Sequence, residues 1–295
     1  MPEIRTIHCP VDFTPISDRN LRMGVELCRR IGARLVLHHN LDVRPPGYLS
    51  VSWMWSEDHE SAAEQKADEV PAQLEQLFAQ IPAGVEYEAR VTKGPLEDTV
   101  LFVSRGLPAD LIIMGTHGKS SADHDSLTER IVIQAPCSVL TIGESYEPSA
   151  IFDATDRPSV EQMRFLVPVD FSGRLTGVVR FAFGVAQTMP HAVDLMHVVR
   201  IGHDAEQEER EVAAAKERLA SMVPEELVDR VSIHVRVGEP VVEVLKLAEE
   251  TQPLCIVMGA HGKGMLKRFL FGTTTLSLLH GAKCPVWFVP PALAH

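Results

Sequence analysis

Gly259, Gly262, Gly272, Thr273 and Thr274 fall within one stretch, residues 254–274. There the apolar run Leu254 to Met258 empties into a glycine turn, and Gly272-Thr273 opens a helical pattern. A strand feeding a glycine loop and then a helix start gathers backbone amides, which is how phosphate oxygens are held. The glycines permit a tight turn and let a ligand approach bare backbone. A helix N-terminus favours an anion by about 0.3–1 kcal/mol, up to ~2 when partly buried, so several amides are needed to hold a multiply charged one. Thr273 also suits a plain helix N-cap. An acceptor comes from elsewhere: Asp170 ends an apolar strand just before the turn Phe171-Ser172, where an Asp serves equally as an N-cap.

The same groups occur twice. Ile7-His8-Cys9-Pro10-Val11-Asp12-Phe13-Thr14 returns as Phe165-Leu166-Val167-Pro168-Val169-Asp170-Phe171-Ser172. Val91-Thr92-Lys93-Gly94-Pro95 returns around Val237 and Gly238, and Met114-Gly115-Thr116-His117-Gly118-Lys119 returns as Met258-Gly259-Ala260-His261-Gly262-Lys263. Ala135-Pro136-Cys137 returns as Ala282-Lys283-Cys284. Four blocks in one order make the chain a tandem duplication. The offset is 158 from Asp12 to Asp170, 144 from Gly94 to Gly238 and from Gly115 to Gly259, and 147 from Cys137 to Cys284. The first half therefore carries 14 extra residues before Gly94, and its glycine loop is 3 residues shorter.

Gly-x2-Gly-x9-Gly-Thr, from Gly259 to Thr273, resembles the ATP-binding signature of the universal stress protein family. The resemblance covers the whole chain apart from a linker and one insertion. It implies that Asp170, and Asp12 in the first half, accept a hydrogen bond from the adenine amino group. It places Val198 or Val199 near the base, although core packing accounts for both valines as well. Val237 and Gly238 would lie beside the ribose. Thr273 and Thr274 would meet the phosphates with the amides near Gly262 and Gly272, assisted by Lys263, Lys267 and Arg268. The ligand implied is ATP, with Mg²⁺ or Mn²⁺ carried on its phosphates.

In the first half the glycine pair Gly115 and Gly118 is intact, but the residues after Gly118 depart from the family pattern. Asp125-Ser126 stands where Gly-Ser or Gly-Thr belongs. Residues 119–129 set Lys119 against Asp123, Asp125 and Glu129, a net of −2, whereas residues 263–273 carry Lys263, Lys267 and Arg268, a net of +3. At about 8 Å in a bulk-like dielectric each unit pair is worth on the order of 0.5 kcal/mol, so the sum favours the second half by tenfold or more in affinity. One competent site in the second half is expected, with Asp12, Gly94, Gly115, Gly118 and Ser126 forming a weak or degenerate one. The Asp123-His124-Asp125 triplet reads as a solvated acidic loop, and no metal site is expected. His38-His39 is assigned no ligand role, because alternation points the two rings to opposite faces.

The elements that must position these groups alternate strand and helix in each half, which predicts an α/β chain of two Rossmann-like domains, each a five-stranded parallel sheet flanked by helices. The expected strands are Thr6–Asp12, Arg34–Leu41, Val85–Lys93, Asp110–Gly115 and Ser138–Ile142, then Arg164–Asp170, Ala192–Val199, Val231–Val237, Leu254–Gly259 and Val286–Val289. Ligands in such sheets lie beyond the strand C-termini, and both aspartates and all the glycine turns fall there. The domains are read as 1–143 and 164–295, with 144–163 as linker. Val43–Glu57, containing Trp53 and Trp55, is the expected home of the insertion and reads as a flap packed on its own domain or at a subunit contact. Ser138–Ile142 and Val286–Val289 are expected to meet as an internal pseudo-dimer, and a homodimer of chains is a further option.

At 295 residues, 45% hydrophobic and 23% charged, the chain has the composition of a globular protein with room for two cores. No stretch reaches the roughly 20 apolar residues of a membrane span, and the N-terminus shows no apolar signal segment; a cytoplasmic protein is expected. A net charge of −12 argues against nucleic acid as a partner. The five cysteines form no Cys-x-x-Cys pair and read as buried thiols. The function these readings favour is regulatory ATP binding in the stress response. Two others stand beside it: a slow ATPase or nucleotide-transferring enzyme, and a scaffold or sensor acting through the first half without nucleotide.

Overall fold

A computed structural model describes residues 4–41, 70–116, 124–144, 146, 164–171, 175–188, 191–202, 204–260 and 273–290. The chain divides into two compact units, Ile4–Pro136 and Cys137–His295. The expected flap, most of the linker and the stretch of the glycine loop carrying Gly262, Lys263, Lys267, Arg268 and Gly272 lie outside the described residues, as do His117, Gly118, Lys119 and Asp123.

The first unit contains β1 (Thr6–Val11), α1 (Pro15–Ile31), β2 (Arg34–Leu41), a helix α2 over residues 70–78, β3 (Tyr87–Lys93), α3 (Leu96–Gly106), β4 (Leu111–Gly115) and α4 (His124–Gln134). Its strands lie in the order β3-β2-β1-β4, all parallel. β1 and β4 are runs of side chains buried on both faces, the pattern of a parallel sheet covered by helices. α1 starts where local chemistry dictates: Thr14 caps it, Ser17 returns the bond to the Thr14 amide, and Pro15 takes the first turn, where no N–H is needed. Gly32, at φ 71°, ends it by taking the left-handed conformation.

The second unit begins with β5 (Ser138–Ile142), the last strand of the first repeat. Next come β6 (Arg164–Pro168), α5 (Leu175–Thr188), β7 (Ala192–Val199), α6 (Ala205–Ala220), a 3₁₀ turn Glu225–Arg230, β8 (Val231–Val237), α7 (Pro240–Thr251), β9 (Cys255–Gly259), α8 (Thr273–Gly281) and β10 (Val286–Val289). The strand order is β5-β10-β9-β6-β7-β8. The last five form the expected parallel sheet, with β6 flanked by β7 and β9, and β5 adds to the β10 edge antiparallel. Leu140 stands opposite Trp287, so the two segments expected to meet do pair. β5 is buried along its whole length.

Observed strand bounds match the expected ones within two residues. β1 and β6 stop before their aspartates because Phe13 and Phe171, at φ 59° and 55°, turn the chain into the left-handed region. The 3₁₀ turn was not foreseen; Pro224 ahead of it starts a short helix that leaves too few residues for a periodic signal.

Candidate functional site

At the C-terminal end of β6 the chain is held in an unusual conformation by its neighbours. The Val169 amide donates to the Met196 carbonyl at 2.7 Å. His197, near the end of β7, places Nδ1 2.6 Å from the Val169 carbonyl, so that nitrogen carries the proton. The His197 ring packs on Phe171, centroids 4.2 Å apart. From α6, the Arg218 guanidinium lies 4.3 Å from the Phe171 centroid and donates to the Phe171 carbonyl at 3.3 Å. A left-handed phenylalanine costs about 1–2 kcal/mol, and these contacts offset it. They hold the residues on either side of Asp170, Val169 and Phe171.

Beyond this turn opens a cavity of about 750 Å³. Asp170, Val198, Gly259, Thr273 and Thr274 all line it. Val237 and Gly238 do not; their turn reaches the wall through Pro240. Gly238 holds φ 156°, and a Cβ there would come 2.8 Å from Cγ of Glu243, so this position requires glycine. Its amide donates to the Val199 carbonyl at 2.9 Å, tying the ends of β7 and β8 together. Thr273 and Thr274 begin α8, where the first backbone N–H groups have no partner within the helix. A carboxylate, a helix N-terminus and the apolar side chain of Val198 thus line one cleft, Asp170 following β6, which lies between the strand of Val198 and the strand that leads to Thr273.

Helix α6 closes a side of the cavity with Glu211, Ala214, Ala215 and Arg218, and Arg200 follows β7. Sequence reasoning passed over these residues. The spacing of the α6 four, at i, i+3, i+4 and i+7, marks one helical face and was a usable signal. His197 carried a signal too, since His39 precedes it by the same 158 residues that separate the two aspartates.

The first repeat shows the same turn with different surroundings. His39 Nδ1 donates to the Val11 carbonyl at 2.8 Å and its ring lies 4.5 Å from Phe13. Asp12 Oδ1 accepts from the Thr14 amide at 3.1 Å and from the Thr14 hydroxyl. The helix cap is therefore Thr14, not Asp12. Gly94 is again left-handed, φ 133°. Thr128 satisfies the Gly115 carbonyl at 3.2 Å. Ser126 is the third residue of α4; its side chain and those of His124 and Asp125 are outside the described set.

His38 does not stay idle on its strand. Its Nε2 lies 2.7 Å from Thr92 Oγ1, Thr92 donates to Asn40 Oδ1 at 3.0 Å, and Asn40 Nδ2 donates to the Gly94 carbonyl at 2.9 Å. Because the threonine proton goes to Asn40, Nε2 of His38 is the donor and its Nδ1 bears a bare lone pair. Ser104 likewise gives its proton to the Val100 carbonyl at 2.8 Å and accepts from His8 Nδ1 at 2.7 Å, leaving His8 Nε2 bare. The two rings are 5.1 Å apart and buried. Burial, aided by each ring's histidine neighbour, lowers the His8 pKa to about 3 and the His38 pKa to about 4, so both are neutral. Burial also pushes the Cys28 thiol up to about 12 and Cys284 to about 11, and raises Cys9 and Cys255. Such thiols are inert.

Among the described residues no group of three or more His, Cys, Asp or Glu side chains can hold a metal ion, and no helix is long and apolar enough to cross a membrane.

The family model described as "Universal stress protein family" matches twice, over residues 3–143 and 163–290. Among solved structures, a universal stress protein from Archaeoglobus fulgidus is similar at 18% identity and TM-score 0.69, covering 98% of this chain and 97% of that one. A putative universal stress protein from Pseudomonas aeruginosa is similar at 15% identity and TM-score 0.62, covering 99% and 96%. At such identities these structures speak for the fold alone.

Proposed function

The chain belongs to the universal stress protein family, and from that premise we propose that its second repeat binds ATP as a regulatory ligand in the stress response. The observation that carries the reading is the 750 Å³ cavity, a volume typical of small-molecule sites, lined both by Asp170 and by the start of α8. Asp170 accepts from the adenine amino group, Val198 offers the base an apolar wall, and the Thr273 and Thr274 amides and hydroxyls meet phosphate oxygens. A partly buried helix N-terminus contributes up to about 2 kcal/mol to such an anion. Gly262, Lys263 and Gly272 complete the phosphate end by the family motif. Mg²⁺ or Mn²⁺ rides on the phosphates, which supply its oxygen ligands.

The first repeat binds nucleotide weakly or not at all, because its loop is 3 residues short and the acidic residues Asp123, Asp125 and Glu129 run from it into α4. Two repeats in one chain, with β5 paired to β10, supply internally the pairing that single-repeat relatives make between chains. A homodimer of chains and a cytoplasmic location go with the same reading.

Titration of nucleotide-stripped protein with Mg-ATP, monitored by calorimetry, is the test. About one site per chain is expected. Two equal sites overturn the asymmetry, and none overturns the reading. Phosphate release above background that is lost in Asp170→Ala establishes the enzyme instead.

A further inference from the structure

We propose that the residue after the second-strand histidine decides which repeat admits an adenine ring: Val198 leaves the cleft open, and Asn40 closes it. The inference rests on the nucleotide reading above and adds a determinant at the base end, distinct from the phosphate loop.

Asn40 and Val198 are strictly equivalent. Each is the seventh residue of an eight-residue strand, β2 or β7, and each comes directly after the histidine that bonds the valine carbonyl at the end of the neighbouring strand. The glycine turns beside them match as well. The Gly94 amide donates to the Leu41 carbonyl at 3.4 Å and the Gly238 amide to the Val199 carbonyl at 2.9 Å, both glycines having positive φ. Each turn therefore anchors its glycine amide on the same strand-end carbonyl.

The side chains then diverge. Val198 has no polar atom and forms cavity wall. Asn40 reaches across to the Gly94 carbonyl at 2.9 Å and is braced by Thr92, which is itself bonded to His38 at 2.7 Å. The equivalents of His38 and Thr92 in the second repeat are Met196, which is apolar, and Arg236, which pairs instead with Glu243 and Glu250. Only the first repeat can assemble this chain of bonds across the ends of its two strands.

A base entering the first cleft meets an amide that already gives one N–H to Gly94 and accepts from Thr92. Displacing it breaks a bond to Gly94 and leaves polar groups unpaired, and stacking upon it sets a desolvated polar group against an aromatic face. Either way the loss is a specificity term, built against the ligand by the site's own groups.

Adenosine carries no phosphate and reads the base end alone. Equilibrium binding of adenosine and of Mg-ATP to the stripped full chain is compared for wild type, Val198→Asn, Val198→Thr and Asn40→Val. Val198→Asn is expected to weaken both ligands by about tenfold or more, the asparagine now bonding the Gly238 carbonyl. Val198→Thr, whose hydroxyl is too short to reach that carbonyl, is expected to weaken both ligands less than Val198→Asn does. Asn40→Val gains a second adenosine site. Wild type that binds ATP while Val198→Asn binds equally well overturns the proposal, as does a folded Asn40→Val with one adenosine site. Wild type that binds neither ligand overturns the nucleotide reading, and this inference with it. If Asn40→Val does not fold, the Val198 pair decides the matter alone.

Discussion

His39 and His197 bond the carbonyls of Val11, the last residue of β1, and Val169, just past β6, in the same way, and Phe13 and Phe171 turn left-handed beside them. Deeper into the strands the repeats part company. His8 and His38 occupy the positions taken by Leu166 and Met196, 158 residues on. The second repeat buries its own polar cluster elsewhere: Asp194, fully buried on β7, faces Arg164 at 3.3 Å and His234 at 3.1 Å. In the first repeat the positions of Asp194 and Arg164 hold Val36 and Thr6. Duplication has kept the backbone device that brackets the aspartate, while the side chains beneath it have been free to change polarity. The turn is constrained by a backbone geometry that few residues satisfy. The core needs only volume and internally satisfied polarity.

Acid should separate the two repeats most widely. His8 and His38 have folded pKa values of about 3 and about 4, below the unfolded value near 6.5. The folded state thus binds fewer protons, and stability falls as pH drops through 6.5, levelling off only below the folded values. At pH 5 the loss is about 2 kcal/mol per histidine. Hydrogen exchange, corrected for intrinsic rates, should show β1 and β2 opening far more readily at pH 5 than at pH 7.5. His8→Leu with His38→Met should flatten that dependence, and unchanged protection in the wild type would show the two rings can be protonated in place.

Arg164→Met probes the other cluster. It leaves the buried Asp194 carboxylate facing His234 alone, and breaking a buried pair costs about 3–5 kcal/mol. The lower end is expected, because Arg164 is 22% exposed and already partly solvated. Urea unfolding measures the loss, and no change in midpoint would mean that water replaces the guanidinium.

A smaller effect should fall on binding. Asp170→Ala removes a charged acceptor worth about 1.5–3 kcal/mol and should weaken ATP by about tenfold to a hundredfold. Asp12→Ala should leave ATP affinity unchanged while loosening α1, whose cap Thr14 bonds that carboxylate. Equal losses from the two variants would erase the contrast between the repeats.

Much of this architecture was legible in the sequence. Ala192–Val199, Val231–Val237 and Val286–Val289 were bounded to the residue because each apolar run ends in a turn signal or loses its pattern at once. Asp170, Val198, Gly259, Thr273 and Thr274 line one cavity although they come from four separate elements or turns, which the repeat and the strand-end rule had already implied. Arg218 and Glu211 stayed hidden because a charged residue on an amphipathic helix looks like solvent-facing surface until the helix is placed. His38 was set aside on strand alternation alone, which gives the face but not the partner on the neighbouring strand.

The duplication, the parallel α/β architecture, the glycine turns and the Asp at each first-strand end are dictated by the amino-acid order itself, because periodicity and local backbone preference operate over a few residues. Tertiary structure alone decided that Asn40 bonds Gly94 across 54 residues and that Arg218 covers Phe171 across 47. Those contacts depend on which strands become neighbours, and a pairing between distant segments leaves no mark on either segment read singly.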